Sequence, residues 1–194
     1  PSINDSELDR LQAAGVRGIR FNLVSPAGRA IDPESELEAL APRLRDRSWH
    51  VQWYVHAHTL PQLVRWQLHS GLPFVLDHLG GLRADLANDD AAWAAAEALA
   101  DAGAWVKLSG WYRLGAEAPY DALHAVINRV STLFAQRVVW GSDWPHTGMA
   151  TDRHPTYEST LGPLRAALTA ATAQSVVRYH APALYVASAG RNKP

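Results

Sequence analysis

The sequence predicts an α/β protein in which parallel strands are joined by crossover helices, with its chemistry gathered at one rim of an α/β barrel. Three observations carry this. Short apolar runs alternate strictly with helical patterns, and five such runs begin near residues 16, 50, 74, 104 and 137. Parallel neighbours need long, usually helical, crossovers, and buried parallel strands read as continuous apolar stretches. Polar groups then collect at the C-terminal end of every run: Arg20 and Asn22; Tyr54, His56 and His58; Asp77 and His78; Ser109 with Tyr112 and Arg113; Asp143 with His146. One such end means little, but five place Arg, His, Tyr and Asp around the rim where α/β barrels carry their active sites. Finally, in Arg137-Val-Val-Trp-Gly-Ser-Asp-Trp-Pro-His146 an apolar strand opens through Gly141 and Ser142 into a carboxylate and a turn at Pro145. That is how a barrel strand delivers a catalytic carboxylate. The competing reading is an Asx-type turn, in which Asp143 bonds only nearby backbone N–H groups.

The elements follow in order. Asp5 or Ser6 caps a short helix bearing Leu8 and Leu11, closed by Gly15. Val16 to Leu23 is a strand whose alternation puts Arg20 and Asn22 on the face opposite Ile19 and Phe21. Asp32-Pro33 is a cap followed by proline at the first helical position, Leu37, Leu40 and Leu44 keep helical spacing, and Pro42 is expected to break or kink the segment. His50 to His56 is the second strand. Thr59 and Pro61 start a helix stopped by Gly71, and Phe74 to His78 is a short buried strand before the Gly80-Gly81 turn. Asn88 or Asp89 caps an alanine-rich helix ended by Gly103; Ala104 to Ser109 is the fourth strand, with Lys107 either solvated at the base of a barrel or pointing inward. Tyr120 to Phe134 is an amphipathic helix, Val138 to Ser142 the fifth strand, and two helical stretches cover roughly residues 156–169 and 172–180.

Bulk properties exclude several classes. The chain has 194 residues, enough for one domain with a sizeable core, and 18 Lys and Arg against 19 Asp and Glu leave a net charge of −1. Nothing in that balance favours nucleic acid or an anionic membrane as partner. No apolar run approaches the length of about eighteen residues that a spanning helix needs, and no basic start followed by an apolar middle is seen in these residues, so a cytoplasmic location is the default expectation. Cysteine is absent, which removes disulfides and thiolate metal sites. No dinucleotide fingerprint follows the first strand and no Walker pattern occurs. The chain starts at Pro1, not Met, which suggests a processed product or a fragment.

Four motifs in sequence carry a resemblance: Gly15-Val-Arg-Gly-Ile-Arg-Phe-Asn22, Phe74-Val-Leu-Asp-His-Leu-Gly80, Val106-Lys-Leu-Ser-Gly-Trp-Tyr-Arg113 and Val139-Trp-Gly-Ser-Asp-Trp-Pro-His146, followed by His180-Ala-Pro-Ala-Leu-Tyr185. Together they resemble the amidohydrolase-related family, within it the branch of 2-pyrone-4,6-dicarboxylate lactonases and sugar-lactone hydrolases. The resemblance implies a (β/α)8 barrel. With Asp143 ending the eighth strand, residues 1–194 form a single, incomplete barrel domain holding strands four to eight, and the His-x-His pair of the family's first strand is absent.

The resemblance further implies a hydrolase of a small carboxylated lactone or related carbonyl compound. Asp143 is the general base on water and His78 polarises the carbonyl. Arg113 and Arg20 hold substrate carboxylates, and Tyr54 adds a hydroxyl contact. No metal is expected in this branch. Alternatives are a metal-dependent amidohydrolase using Zn, a decarboxylase on the same barrel, or an inactive barrel fragment that only binds a ligand or partner. Each assignment has a plainer competitor: a core histidine for His78, surface or structural cations for Arg113 and Arg20, packing for Tyr54. Asp77 is expected to brace its turn. His56-Ala-His58, alternating on a strand, is a conceivable Zn pair but stands where the family has a later strand. The partner expected is a small molecule, with self-association possible through the open edge at Val16 to Leu23.

Overall fold

A computed structural model describes residues 3–186; Pro1 lies outside them. Five parallel strands form one sheet in sequential order: β1 (Gly18–Asn22), β2 (His50–Tyr54), β3 (Phe74–Leu76), β4 (Trp105–Leu108) and β5 (Val138–Trp140). Among the described residues eight α-helices accompany them: α1 (Asp5–Ala13), α2 (Pro33–Asp46), α3 (Leu60–Ser70), α4 (Asp90–Asp101), α5 (His124–Phe134), α6 (Tyr157–Ala167), α7 (Ala170–Ser175) and α8 (Ala181–Tyr185). The register pairs Arg20 with Gln52, Asn22 with Tyr54 and Val106 with Val138. Sequential parallel pairing with a helix in each crossover is the arrangement of successive units of an α/β barrel.

The strands separate two environments. Phe21, Val51, Trp53, Phe74, Leu76, Val106, Leu108 and Val138 point to the helices and are buried. Phe21 stacks on Trp53 at 4.7 Å, and Trp53 packs against Trp66 of α3 at 5.3 Å. From the helices come Leu37, Leu40 and Leu44 of α2, Leu60, Leu63 and Trp66 of α3, Trp93, Ala96 and Leu99 of α4, and Val126, Ile127, Val130 and Phe134 of α5. Fully burying one such large apolar side chain stabilises by about 1.5–3 kcal/mol, so this face fixes the strands. The alternate residues Arg20, Gln52, Lys107 and Ser109, with Asp77, face the other way and line a cleft.

Several boundaries differ from expectation. Asn4, not Asp5 or Ser6, caps α1 by accepting from the Glu7 amide at 2.9 Å. Asp32 and Asp89 cap α2 and α4 through the amides of Ser35 and Ala92. Pro42 does not end α2. It lies on the solvent side with Glu38, whose carbonyl loses its intrahelical donor where water can replace it, while Leu37, Leu40, Ala41 and Leu44 anchor the opposite face. Strand β2 ends at Tyr54; His56 and His58 are exposed in the turn that follows, their rings stacked at 5.5 Å. The alternation argument for a histidine pair therefore fails, because the two are not on a strand. The helix expected from Tyr120 begins as a tight turn, Asp121–Leu123, since Tyr120 adopts a positive φ of 72°. Past α7 the chain widens into one π-helical turn, Val176–His180, where the His180 ring reaches Ser175 Oγ and the Val138 carbonyl, before α8. Among the described residues no helix is long and apolar enough to cross a membrane.

Candidate active site

Strand ends converge on a cleft of about 1240 Å³ lined by Arg20, Gln52, Tyr54, Asp77, His78, Lys107, Ser109, Tyr112, Arg113 and Asp143, among others. Four cations (Arg20, Lys107, Arg113 and Arg153) face two carboxylates, Asp77 and Asp143, so the lining is net positive.

Asp143 follows β5 after Gly141 and Ser142 and has a φ of 63°, a left-handed conformation that few non-glycine residues adopt and that recurs at functional sites. Its carboxylate does not make a local turn. Ser142 Oγ takes the Trp144 amide at 3.2 Å instead, and Asp143 Oδ2 accepts from Tyr112 Oη at 2.6 Å and from Arg113 Nε at 2.6 Å. Both donors come from the turn after β4, the segment Ser109-Gly-Trp-Tyr-Arg113. A second Arg113 nitrogen donates to the Thr147 carbonyl at 3.0 Å, which ties this turn to the loop after Asp143. Burial works against the Arg113 charge, but the Asp143 carboxylate holds the guanidinium firmly protonated. Burial and the same carboxylate push the Tyr112 phenol well above its usual range, so it remains a donor.

His78, at the end of β3, is buried and also has a positive φ, 49°. Its Nε2 lies 3.7 Å from Asp143 Oδ1, and its Nδ1 lies 3.0 Å from Ser109 Oγ. The hydroxyl can donate to Nδ1, and Nε2 faces a carboxylate, so the tautomer that suits both places the proton on Nε2, toward the cleft. Burial lowers the pKa of His78; Asp77 and Asp143 oppose this, while Arg113 and Arg20 add to it. The Tyr54 ring meets His78 edge-on at 5.0 Å, and the Arg20 and Arg113 guanidinium carbons stand 5.2 and 5.8 Å from that ring. Gly110 makes room for the imidazole: a Cβ there would sit 2.3 Å from His78 Nδ1.

The structure thus brings together all five residues singled out from the sequence, Asp143, His78, Arg113, Arg20 and Tyr54. It also changes the surroundings expected for some of them. Arg113 is engaged with Asp143. The Asp77 carboxylate does not brace the turn, where only its backbone carbonyl takes the Gly80 amide: it is buried and accepts from Arg20 Nε at 2.7 Å and Gln52 Nε2 at 2.9 Å, with Lys107 Nζ at 3.3 Å. Lys107 points into the cleft and donates to Gln52 Oε1 at 2.6 Å. Gln52, Ser109 and Tyr112 were given no role by sequence reasoning. Gln52 and Lys107 carried a signal, each a single polar residue between apolar neighbours on a buried strand.

Among the described residues no group of three His, Asp or Glu side chains is placed to hold a metal ion, and Asp143 Oδ2 already accepts from a phenol and a guanidinium.

Comparison with known proteins agrees with the geometry. The chain is 35% identical over 165 residues to a 2-pyrone-4,6-dicarboxylate hydrolase of Comamonas testosteroni, a match covering 76% of this chain and 52% of that protein. It is 29% identical over 153 residues to a 4-sulfomuconolactone hydrolase of Rhizobium radiobacter, covering 74% and 48%. The chain therefore spans about half the length of these relatives. Among solved structures, a Pseudomonas putida protein described as a 2-pyrone-4,6-dicarboxylic acid hydrolase superposes with a TM-score of 0.80 at 28% identity, over 95% of this chain and 68% of that one. An amidohydrolase of Burkholderia multivorans, solved with bound zinc, shares the fold at a TM-score of 0.63 and 23% identity, over 93% and 69%. The amidohydrolase family profile matches residues 1–185, and the chain belongs to the amidohydrolase family, whose barrel its five parallel strands build in part.

Proposed function

We propose that this chain carries the catalytic half of a hydrolase acting on a small carboxylated lactone, with Asp143 as general base and His78 as the group that polarises the carbonyl. The observation that carries the reading is the 3.7 Å approach of His78 Nε2 to Asp143 Oδ1 inside a positively lined cleft. The similarity to hydrolases of 2-pyrone-4,6-dicarboxylate and 4-sulfomuconolactone supports the substrate class. In this reading the five units are the fourth to eighth of the barrel, and Asp143 ends the eighth strand.

The chemistry follows from the contacts. Asp143 Oδ2 is held by Tyr112 and Arg113, so Oδ1 is the oxygen that takes a proton from water. The water oxygen adds to the lactone carbonyl carbon while Nε2–H of His78 donates to the carbonyl oxygen, which gains negative charge. The ring C–O bond then breaks, and the proton on Asp143 passes to the departing oxygen, giving a hydroxy acid and restoring the carboxylate. Arg20, whose side chain is 44% exposed, binds a substrate acid group through terminal nitrogens that make no bond among the described residues. Tyr54 supplies the wall between the two guanidiniums. No step needs a metal, and hydrolysis unchanged by chelation of the purified protein is the expected result.

The deciding experiment is Asp143→Asn in the complete protein, assayed by acid release from a carboxylated lactone. We expect kcat to fall by a factor on the order of 10²–10⁴, the usual worth of a general base, with the melting temperature preserved. Near-normal turnover in the variant would exclude Asp143 as the base.

A further inference from the structure

Asp77 is the second carboxylate of the cleft, and the mechanism above does not use it. It is 2% exposed, and three partners from three different strands meet on it: Arg20 of β1 and Gln52 of β2 donate to Oδ2, and Lys107 of β4 forms an ion pair with Oδ1. Gln52 also accepts from Lys107 at 2.6 Å, so its amide spans the two charged partners. One buried carboxylate facing two cations leaves positive charge in the cleft that His78 also lines, with Arg20 beside Tyr54. The bond to Arg20 is made through Nε alone. That grip leaves the two terminal nitrogens of the guanidinium to the cleft and fixes the plane in which they lie. A surface arginine without such a partner samples many rotamers, and ordering it on binding takes free energy from the affinity.

From this geometry we infer that Asp77, clamped by Gln52, is a positioning residue that presents Arg20 to the acid group of an anionic substrate. The inference rests on the proposed function for the substrate's charge but not for its hydrolysis. Asp77 does not touch the reacting atoms; it acts through Arg20. A purely structural buried ion pair would also tie β1, β2 and β4 together, and it would show in stability alone. A positioning role appears in ligand affinity and is lost when Arg20 is lost.

Isophthalate, an unreactive dicarboxylate, separates these cases by calorimetry on the full chain, independently of turnover. The wild type is expected to bind it, and Asp77→Asn to weaken binding at least tenfold. In an Arg20→Ala background the same Asp77→Asn change is expected to alter affinity less than twofold, because the group it orients is gone. Unchanged affinity in Asp77→Asn, or an undiminished tenfold effect without Arg20, overturns the inference, as does a wild type that does not bind isophthalate. Gln52→Leu keeps both charges and removes the bridging amide, so it decides the matter where Asp77→Asn does not fold. A threefold or greater loss of affinity with an unchanged circular dichroism spectrum supports positioning, and wild-type affinity refutes it. Binding with these variant effects but no lactone hydrolysis by the wild type would sink the proposed function while leaving the role of Asp77 intact.

Discussion

Arg113 Nε and Asp143 Oδ2 are 2.6 Å apart, and that contact turns the other carboxylate oxygen toward His78. A cation expected to hold substrate therefore also orients the residue proposed as base. Charge alone cannot do this, because the guanidinium simultaneously reaches the Thr147 carbonyl. Arg113→Lys keeps the charge but not the fork. We expect it to lower kcat on a carboxylated lactone by tenfold or more, with a smaller change in KM; an Arg113→Lys enzyme with wild-type kcat would show that orientation is unimportant.

Ser109 and His78 make a second prediction. The Ser109 hydroxyl is the partner of Nδ1, and Nε2 is the nitrogen facing the cleft. Ser109→Ala leaves Nδ1 without that donor and allows the other tautomer. Nitrogen-15 shifts of His78 are expected to report a proton on Nε2 in the wild type and a mixture in Ser109→Ala, with Ser109→Thr restoring the wild-type signature. Identical spectra in wild type and Ser109→Ala would refute the assignment.

The Gly110 position tests how tightly His78 is seated. Gly110 has a φ of 60°, and a Cβ would lie 2.3 Å from Nδ1 of a buried ring. Gly110→Ala is therefore expected to displace the imidazole and to destabilise by about 1–3 kcal/mol, the range for overpacking and for left-handed strain. Thermal unfolding checks the second part and turnover the first.

Acid should weaken the fold through His50. Burial, with help from the Lys107 charge, lowers its pKa to about 4, and Nδ1 has no hydrogen-bond partner among the described residues. The folded state holds His50 neutral where the unfolded chain protonates it. Its contribution is thus fully present above pH 6.5, the ordinary value, and is lost as pH falls from there toward 4. The loss amounts to about 3 kcal/mol by linkage. His78, lowered in the same direction, adds to it. Denaturant titrations at pH 7 and pH 4.5 are expected to show a drop that His50→Phe reduces; equal drops in both proteins would rule His50 out as the cause.

Much of this protein was legible without coordinates. Alternating apolar runs and helical patterns specify parallel strands with crossovers, since that topology buries Val51, Trp53, Phe74, Leu76 and Val106 against the helices while Val75 and Val139 are buried on the opposite face of the same short segments. The polar residues at the strand ends identified the rim in part: Asp77, His78 and Asp143, each just past a buried strand, line the cleft, whereas His56 and His58 are exposed in the turn after β2. Side-chain direction on the strands also followed from period two, which set Arg20 opposite Phe21. What the sequence could not say was which charges find each other. Arg20 and Asp77 are 57 residues apart, Lys107 and Gln52 are 55 apart, and Arg113 and Asp143 are 30 apart. Pairings at that distance depend on strand order and register, which no local pattern encodes. The same holds for Pro42, whose effect on α2 depended on whether its face met solvent or core. Chain chemistry determined which residues would stand at the rim; tertiary packing decided that Asp77 holds Arg20 and Lys107 while Asp143 is held by Arg113 and Tyr112, because a buried carboxylate takes whichever donors the neighbouring strands bring within hydrogen-bond reach.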